Sequence, residues 1–355
     1  MPQLGFAFDT NTQPTIKPPL VQTSVTIDGQ EVGITPVFSA YWRFAAERQR
    51  IFFKRLRRTN AHSFTDDPVL KNYKFTNAYR ASDRVSQYLI KNVIYDPLRP
   101  SSDEEVFFRI LMFKFFNKIE TWSYLEGQLG ENRHSNYDFQ QLDNVLTDHI
   151  ENKGPIYSAA YIMPSAGSKF GHKFKHQNHL RLIEWMFENN FVERLQRCVS
   201  MSEGYDLLLS APSIGPFLAY QYITDLNYSE ITNFSEDEFV VPGPGALDGI
   251  SKCFTSSKKI NPRSIIKFMM ESQDEYFDAL DEPFDRLWGR KLQLIDCQNL
   301  FCEISKYSRV AFPHISGIAG RARIKQKYGR SKEFYEPWYP PKWGINDKIS
   351  KSQLH

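Results

Sequence analysis

Apolar and aromatic residues recur at three- and four-residue spacing along most of this 355-residue chain, and runs that alternate every second residue are scarce. A period near 3.6 lines up one face of a helix, whereas a half-buried strand needs a period of two. The spacing predicts helices over residues 38–56, 77–94, 103–125, 137–151, 177–198, 200–209, 215–225, 264–271 and 298–307. Several starts carry caps: Ser102, Asp103, Glu104 and Glu105 put carboxylates at the positive end of a helix. The fold class is therefore all-α, with one short strand pair around residues 25–30. The sequence divides into an extended arm over 1–35, a helical domain over 36–310, and a basic, Pro- and aromatic-rich tail over 311–355 expected to wrap over the surface. The helical domain is read as two lobes around a cleft, one from the middle of the chain and one from both ends.

With 41% hydrophobic and 15% aromatic residues, the chain can fill a real core. The four cysteines, Cys198, Cys253, Cys297 and Cys302, lack the clustering of an iron–sulfur site. With no leader pattern, they read as reduced thiols in an intracellular, cytoplasmic protein. No apolar run reaches the roughly 20 residues that span a bilayer, so no membrane partner is expected. His172, His176 and His179 share a helical spacing but show no nearby carboxylate in sequence, which disfavours a metal; a phosphate-contacting loop with Lys173 and Lys175 fits better. No cofactor is expected.

A net charge of +3 is too mild to specify a partner, so the distribution carries the argument. Residues 41–58 hold seven basic side chains against Glu47, and residues 306–332 hold eight with no acid. One such cluster reads equally well as a solvated face; two favour a surface for a nucleic-acid backbone.

Residues 241–245 (VPGPG) form a tight Gly/Pro turn ahead of a helix start. Glycines let backbone approach a phosphate, and free N–H groups at the helix start face the anion, so Gly243 and Gly245 are candidate DNA-binding residues. Around the turn stand residues 75–88 (FTNAYRASDRVSQY), 108–118 (FRILMFKFFNK), 215–221 (GPFLAYQ) with 224–228 (TDLNY), and 292–299 (LQLIDCQN) with Cys302, Glu303, Lys306 and Tyr307. In this order the blocks resemble the helical domain of 5-hydroxymethyluracil DNA kinases and the related alpha-glutamyl/putrescinyl thymine pyrophosphorylases, over residues 36–310. The resemblance implies a fold similar to helix-hairpin-helix DNA glycosylases and a partner that is double-stranded DNA carrying modified pyrimidines. Two departures stand out. G-x-x-x-x-G-K-[ST], the loop that cradles nucleotide phosphates, occurs nowhere in the 355 residues, which disfavours ATP-dependent phosphorylation. Asp296 also lies some fifty residues past the turn, where such glycosylases place an aspartate after about twenty.

An enzyme acting on an extruded base needs a charge, stacking rings and edge-reading groups. Asp296 is the first catalytic candidate and reads equally as a helix cap. Asp225 is the second, and Glu303, two turns beyond Asp296, is the third. Arg80, Asp83, Arg84 and Gln87 recur at helical spacing. Arg80 and Arg84, with Lys306 and Arg309, are candidates for phosphate; Gln87, Asn117 and Gln221 for the base edge; Tyr79 and Tyr220 for stacking. The leading expectation is a DNA glycosylase, a hydrolase of the N-glycosidic bond of a hypermodified pyrimidine, with a role in anti-phage defence. The alternatives are an amino acid or amine:DNA transferase in thymine hypermodification, and a non-catalytic module that binds modified DNA.

Overall fold

The computed structural model describes residues 20–57, 63–159, 163–255, 259–329 and 335–352, the side chains of 350–352 excepted. Most of the 1–35 arm, Arg58, Tyr161, Ile162, Lys332 and Phe334, all part of the sequence readings, lie outside the described residues. Among the described residues the chain is mostly helical, with one two-stranded sheet. It divides into two compact units, each built from three segments.

The first unit comprises Met1–Ala78, Gly243–Asp285 and Gln298–Lys332. Its hairpin pairs Ser24–Ile27 with Gln30–Gly33 through Asp28 (φ 49°) and Gly29 (φ 72°). Both turn residues are left-handed, the geometry that matches the twist of the flanking strands. Thr35 caps the helix Pro36–Leu56 by accepting from Val37 N, and its hydroxyl donates to Lys252 O at 2.5 Å. That helix delivers Phe38, Tyr41 and Trp42 to an aromatic core: Trp42 stacks on Tyr276 at 5.5 Å, and Tyr41 meets Phe301 at 4.9 Å. The helix Pro244–Cys253 lies so close to the helix Leu294–Ala311 that a Cβ on Gly249 would sit 2.0 Å from Phe301 O. Only glycine permits that approach.

The second unit comprises Tyr79–Pro242, Arg286–Cys297 and Glu333–His355. At its centre the helix Asp103–Phe116 buries Glu105 through Phe116, Arg109 and Lys114 included. A helix apolar on nearly every side must be enclosed by others. Ser102 accepts from Glu105 N as its cap, as the sequence indicates. The predicted single helix over 103–125 is two, because Asn117 turns left-handed (φ 48°) and ends the first; asparagine tolerates that conformation better than most residues. Asn190 (φ 53°) splits the 177–198 prediction in the same way. The predicted 77–94 helix resolves into a 3₁₀ turn Arg80–Ser82, a helix Arg84–Tyr88 and a π-helical stretch Leu89–Ile94. The proline-rich tail does not merely lie on the surface. Tyr339 is fully buried and hydrogen-bonds Ser82 Oγ at 2.8 Å, and Lys342 Nζ donates to Ser229 O and Thr232 O.

Candidate functional site

Three charges are enclosed in the second unit. Arg80 Nη1 pairs with Asp225 Oδ1 at 2.7 Å and Lys114 Nζ with Oδ2 at 3.2 Å, all three side chains at most 3% exposed. Pro216 at the first position sets the helix Pro216–Leu226, which carries Asp225 and Gln221. Arg80 also donates to Tyr228 Oη at 2.9 Å and, through Nε, to Gln221 Oε1 at 3.2 Å; Lys114 donates to Asn117 Oδ1 at 2.7 Å. Burial pushes the Asp225 carboxyl up, but Arg80 and then Lys114 outweigh it and hold it below the usual carboxylate value. Burial also pulls the Lys114 ammonium below the usual lysine value, against Asp225. Two cations on one carboxylate leave a net positive node. Because Arg80 Nε fixes Oε1 as the acceptor end, Gln221 Nε2 is identified as the amide nitrogen. It is buried without a hydrogen-bond partner among the described residues.

Asp296 stands beside this node and is held by backbone. Its Oδ1 accepts from Arg80 N at 2.8 Å, and its Oδ2 reaches back to Gln293 N at 3.0 Å, ahead of the helix Leu294–Ala311. That second bond is the reciprocal half of a capping box. Burial pushes the Asp296 carboxyl up to about 6 in spite of both bonds. Tyr79 Oη is likewise engaged, donating to Arg290 O at 2.5 Å and accepting from Leu287 N. Gln87 bridges Ala81 O and Trp338 N, and Tyr220 is buried edge-on to Phe239. Arg84 is half-exposed and 3.6 Å from Glu120. Sequence reasoning passed over Lys114 and Tyr228; their partners lie on other helices, and no local spacing announces the pairing.

In the first unit Gly243 is the N-cap of the helix Pro244–Cys253. The turn is entered from a long irregular stretch, residues 227–243, rather than from a helix. Asn227 stitches the start of that stretch by accepting from Phe234 N and Thr232 Oγ1. A Cβ on Gly245 would sit 3.1 Å from Cys302 Sγ, so this glycine serves helix packing. Glu303 accepts from Thr76 N at 3.0 Å and pairs with Lys306 at 2.8 Å, while Lys306 Nζ also lies 4.6 Å above the Phe75 ring. Asp248, on the helix Pro244–Cys253, is buried between Ser305 Oγ, Lys252 and Ala319 N. Arg309 donates to Arg323 O.

Lys173 and Lys175 lie over the Phe174 and Tyr157 rings, Lys173 exposed and Lys175 partly so. His176 does have a carboxylate close by, Asp143 at 2.7 Å, contributed by the helix Phe139–Asn152, and His179 bridges Tyr157 Oη and Pro164 O. Among the described residues no group of three or more His, Cys, Asp or Glu is placed to hold a metal ion. No helix among them is long and apolar enough to cross a membrane.

A family model described as "5-hmdU DNA kinase, helical domain" matches residues 35–317. The chain is also similar to a protein of Bacillus phage SP10 named "5-hmdU DNA kinase", 25% identical over 295 residues, which cover 78% of this chain and 45% of the relative. The chain therefore spans about half the length of the curated relative it matches. No solved structure matches it. These likenesses overturn the expectation of a DNA glycosylase: the relative is named as a kinase, which transfers a group, not as a hydrolase of the N-glycosidic bond.

Proposed function

The chain belongs to the 5-hmdU DNA kinase helical-domain family, and from that membership we propose that it engages double-stranded DNA carrying 5-hydroxymethyl-type pyrimidines. In this reading it serves group transfer at the 5-substituent and leaves the glycosidic bond intact. The observation that carries the proposal is the match over residues 35–317, which includes the enclosed Arg80–Lys114–Asp225 node. The loop G-x-x-x-x-G-K-[ST] does not occur in these 355 residues, which favours transfer onto an already activated 5-substituent over phosphorylation. The helix-hairpin-helix likeness, with Gly243 and Gly245 at the turn, belongs to the same proposal. So do Asp296 and Asp225 as candidate carboxylates of the second unit and, separately, Glu303 as one of the first.

The node supports this reading through its spare donor. Gln221 Nε2 is held in place by Arg80 and has no partner among the described residues, and a buried donor without an acceptor costs about 1–3 kcal/mol. Gln221 is 1% exposed, so we assign it an acceptor on the modified base that it meets only when the packing over the node opens. In amine transfer onto a pyrophosphorylated 5-hydroxymethyl group, the amine nitrogen would bond to the 5-methylene carbon as the carbon–oxygen bond to pyrophosphate breaks. The displaced proton would pass to solvent. Mass spectrometry of nucleosides after incubation with such DNA and an amine tests this. A retained base with the mass of the amine adduct is expected; abasic sites in place of adduct would overturn the reading.

A further inference from the structure

Resting on the reading that this chain binds DNA, we propose that residues 321–327 form the track that holds the DNA backbone. Every second residue here is basic, Arg321, Arg323, Lys325 and Lys327, and all four are exposed. None has a carboxylate partner among the described residues, whereas Lys306 is paired with Glu303, and Arg309 lies near Asp248.

The segment is fixed in place. Ile324 is buried among its exposed neighbours, and Arg309 donates to Arg323 O at 3.2 Å. Lys74 N donates to Gln326 O, Tyr328 N donates to Asn72 O, and Tyr73 and Lys327 form an antiparallel bridge. Just upstream, Asp248 accepts from Ala319 N at 2.7 Å and Ser251 Oγ from Ile318 N at 3.3 Å. A Cβ on Gly317 would sit 2.2 Å from Asp248 Oδ1, so the approach to the track is packed down onto the helix Pro244–Cys253.

Residues 321–326 carry neither helix nor turn. Alternate residues of an extended chain stand about 6.6 Å apart. Along the axis of a duplex each strand carries one phosphate per about 3.4 Å, so the basic residues are spaced on the scale of the phosphates they would meet. The backbone that carries these cations is already in place, Lys327 Nζ lies 4.4 Å over the Tyr73 ring, and contacts to phosphates carry no sequence information of their own. The track supplies affinity, and discrimination of the base lies elsewhere in the molecule.

The test is fluorescence anisotropy of a duplex against salt, comparing the full chain with the quadruple variant Arg321→Ala, Arg323→Ala, Lys325→Ala, Lys327→Ala. A control quadruple removes the exposed Lys91, Lys153, Arg197 and Lys267. The track variant should lower the slope of log affinity against log salt by about 3 to 4 and weaken binding on the order of 100- to 1,000-fold near 0.1 M salt. Its preference for 5-hydroxymethyluracil over thymine should be unchanged, as should its thermal midpoint, and the control should retain the wild-type slope. A wild-type slope in the track variant, or equal losses in both quadruples, overturns the track while leaving DNA binding intact. A wild-type protein that binds no duplex overturns the functional reading and the track together. Binding through these residues to phosphatidylserine vesicles but not to DNA would also overturn it.

Discussion

Two sets of cations in this molecule stand in opposite surroundings. In the second unit Arg80 and Lys114 are enclosed around Asp225, at most 3% exposed. In the first unit Arg321, Arg323, Lys325 and Lys327 stand open to solvent without a carboxylate. Enclosure turns charge into architecture: each buried ion must keep its partner or suffer the full cost of desolvation. Exposure does the reverse, leaving charges that contribute almost nothing to stability and are free for a polyanion. The residue types are the same, and burial alone separates the two roles.

The sharpest way to break that comparison is to remove the shared anion. Asp225→Ala leaves two buried cations facing each other and should cost about 3–5 kcal/mol, read as a lowered denaturant midpoint. A loss below about 1 kcal/mol would mean the node is open to water, and the contrast between the units would fail.

A smaller effect comes from Asp296, whose carboxyl burial pushes up to about 6. Unfolded, it titrates near 4. The folded state therefore holds the proton more tightly between those values, and the stability that the protonated form provides is lost as pH rises from about 4 through about 6. The total is about 3 kcal/mol. His179, held neutral by burial with a value of about 4, gives the opposite slope, losing stability as pH falls below its unfolded value. Subtracting the stability–pH curve of Asp296→Asn from that of the wild type isolates the first term. A difference that stays flat from pH 4 to 6 would contradict the enclosure of this carboxyl.

The smallest effect is expected on the open side. Lys325→Ala should change the thermal stability by less than about 0.5 kcal/mol. A larger loss would show that the track is part of the core.

Much of this was legible in the sequence, but only where the cause is local. The Ser102 cap follows from residues within one turn, and the period-3.6 apolar pattern announced most helices. Asn117 and Asn190 were read through as helix interior because one left-handed residue leaves no trace in an apolar period. Arg80 and Asp225 were singled out, yet not as partners. They are 145 residues apart, and pairing across that distance is decided by packing. The same holds for Gly245, whose small size answers to Cys302 on another helix. The basic run after Lys306 was visible from its composition, but which of its cations are neutralised depends on Glu303 and Asp248 in three dimensions.

The central claim is that this chain recognises modified DNA, and a paired titration tests it most directly. One duplex carries 5-hydroxymethyluracil at a single position, its twin carries thymine there, and both are followed by anisotropy at the same salt. Tighter binding of the 5-hydroxymethyluracil duplex, with the preference reduced in Gln221→Met, is the predicted result. Equal affinity for the two duplexes would contradict it.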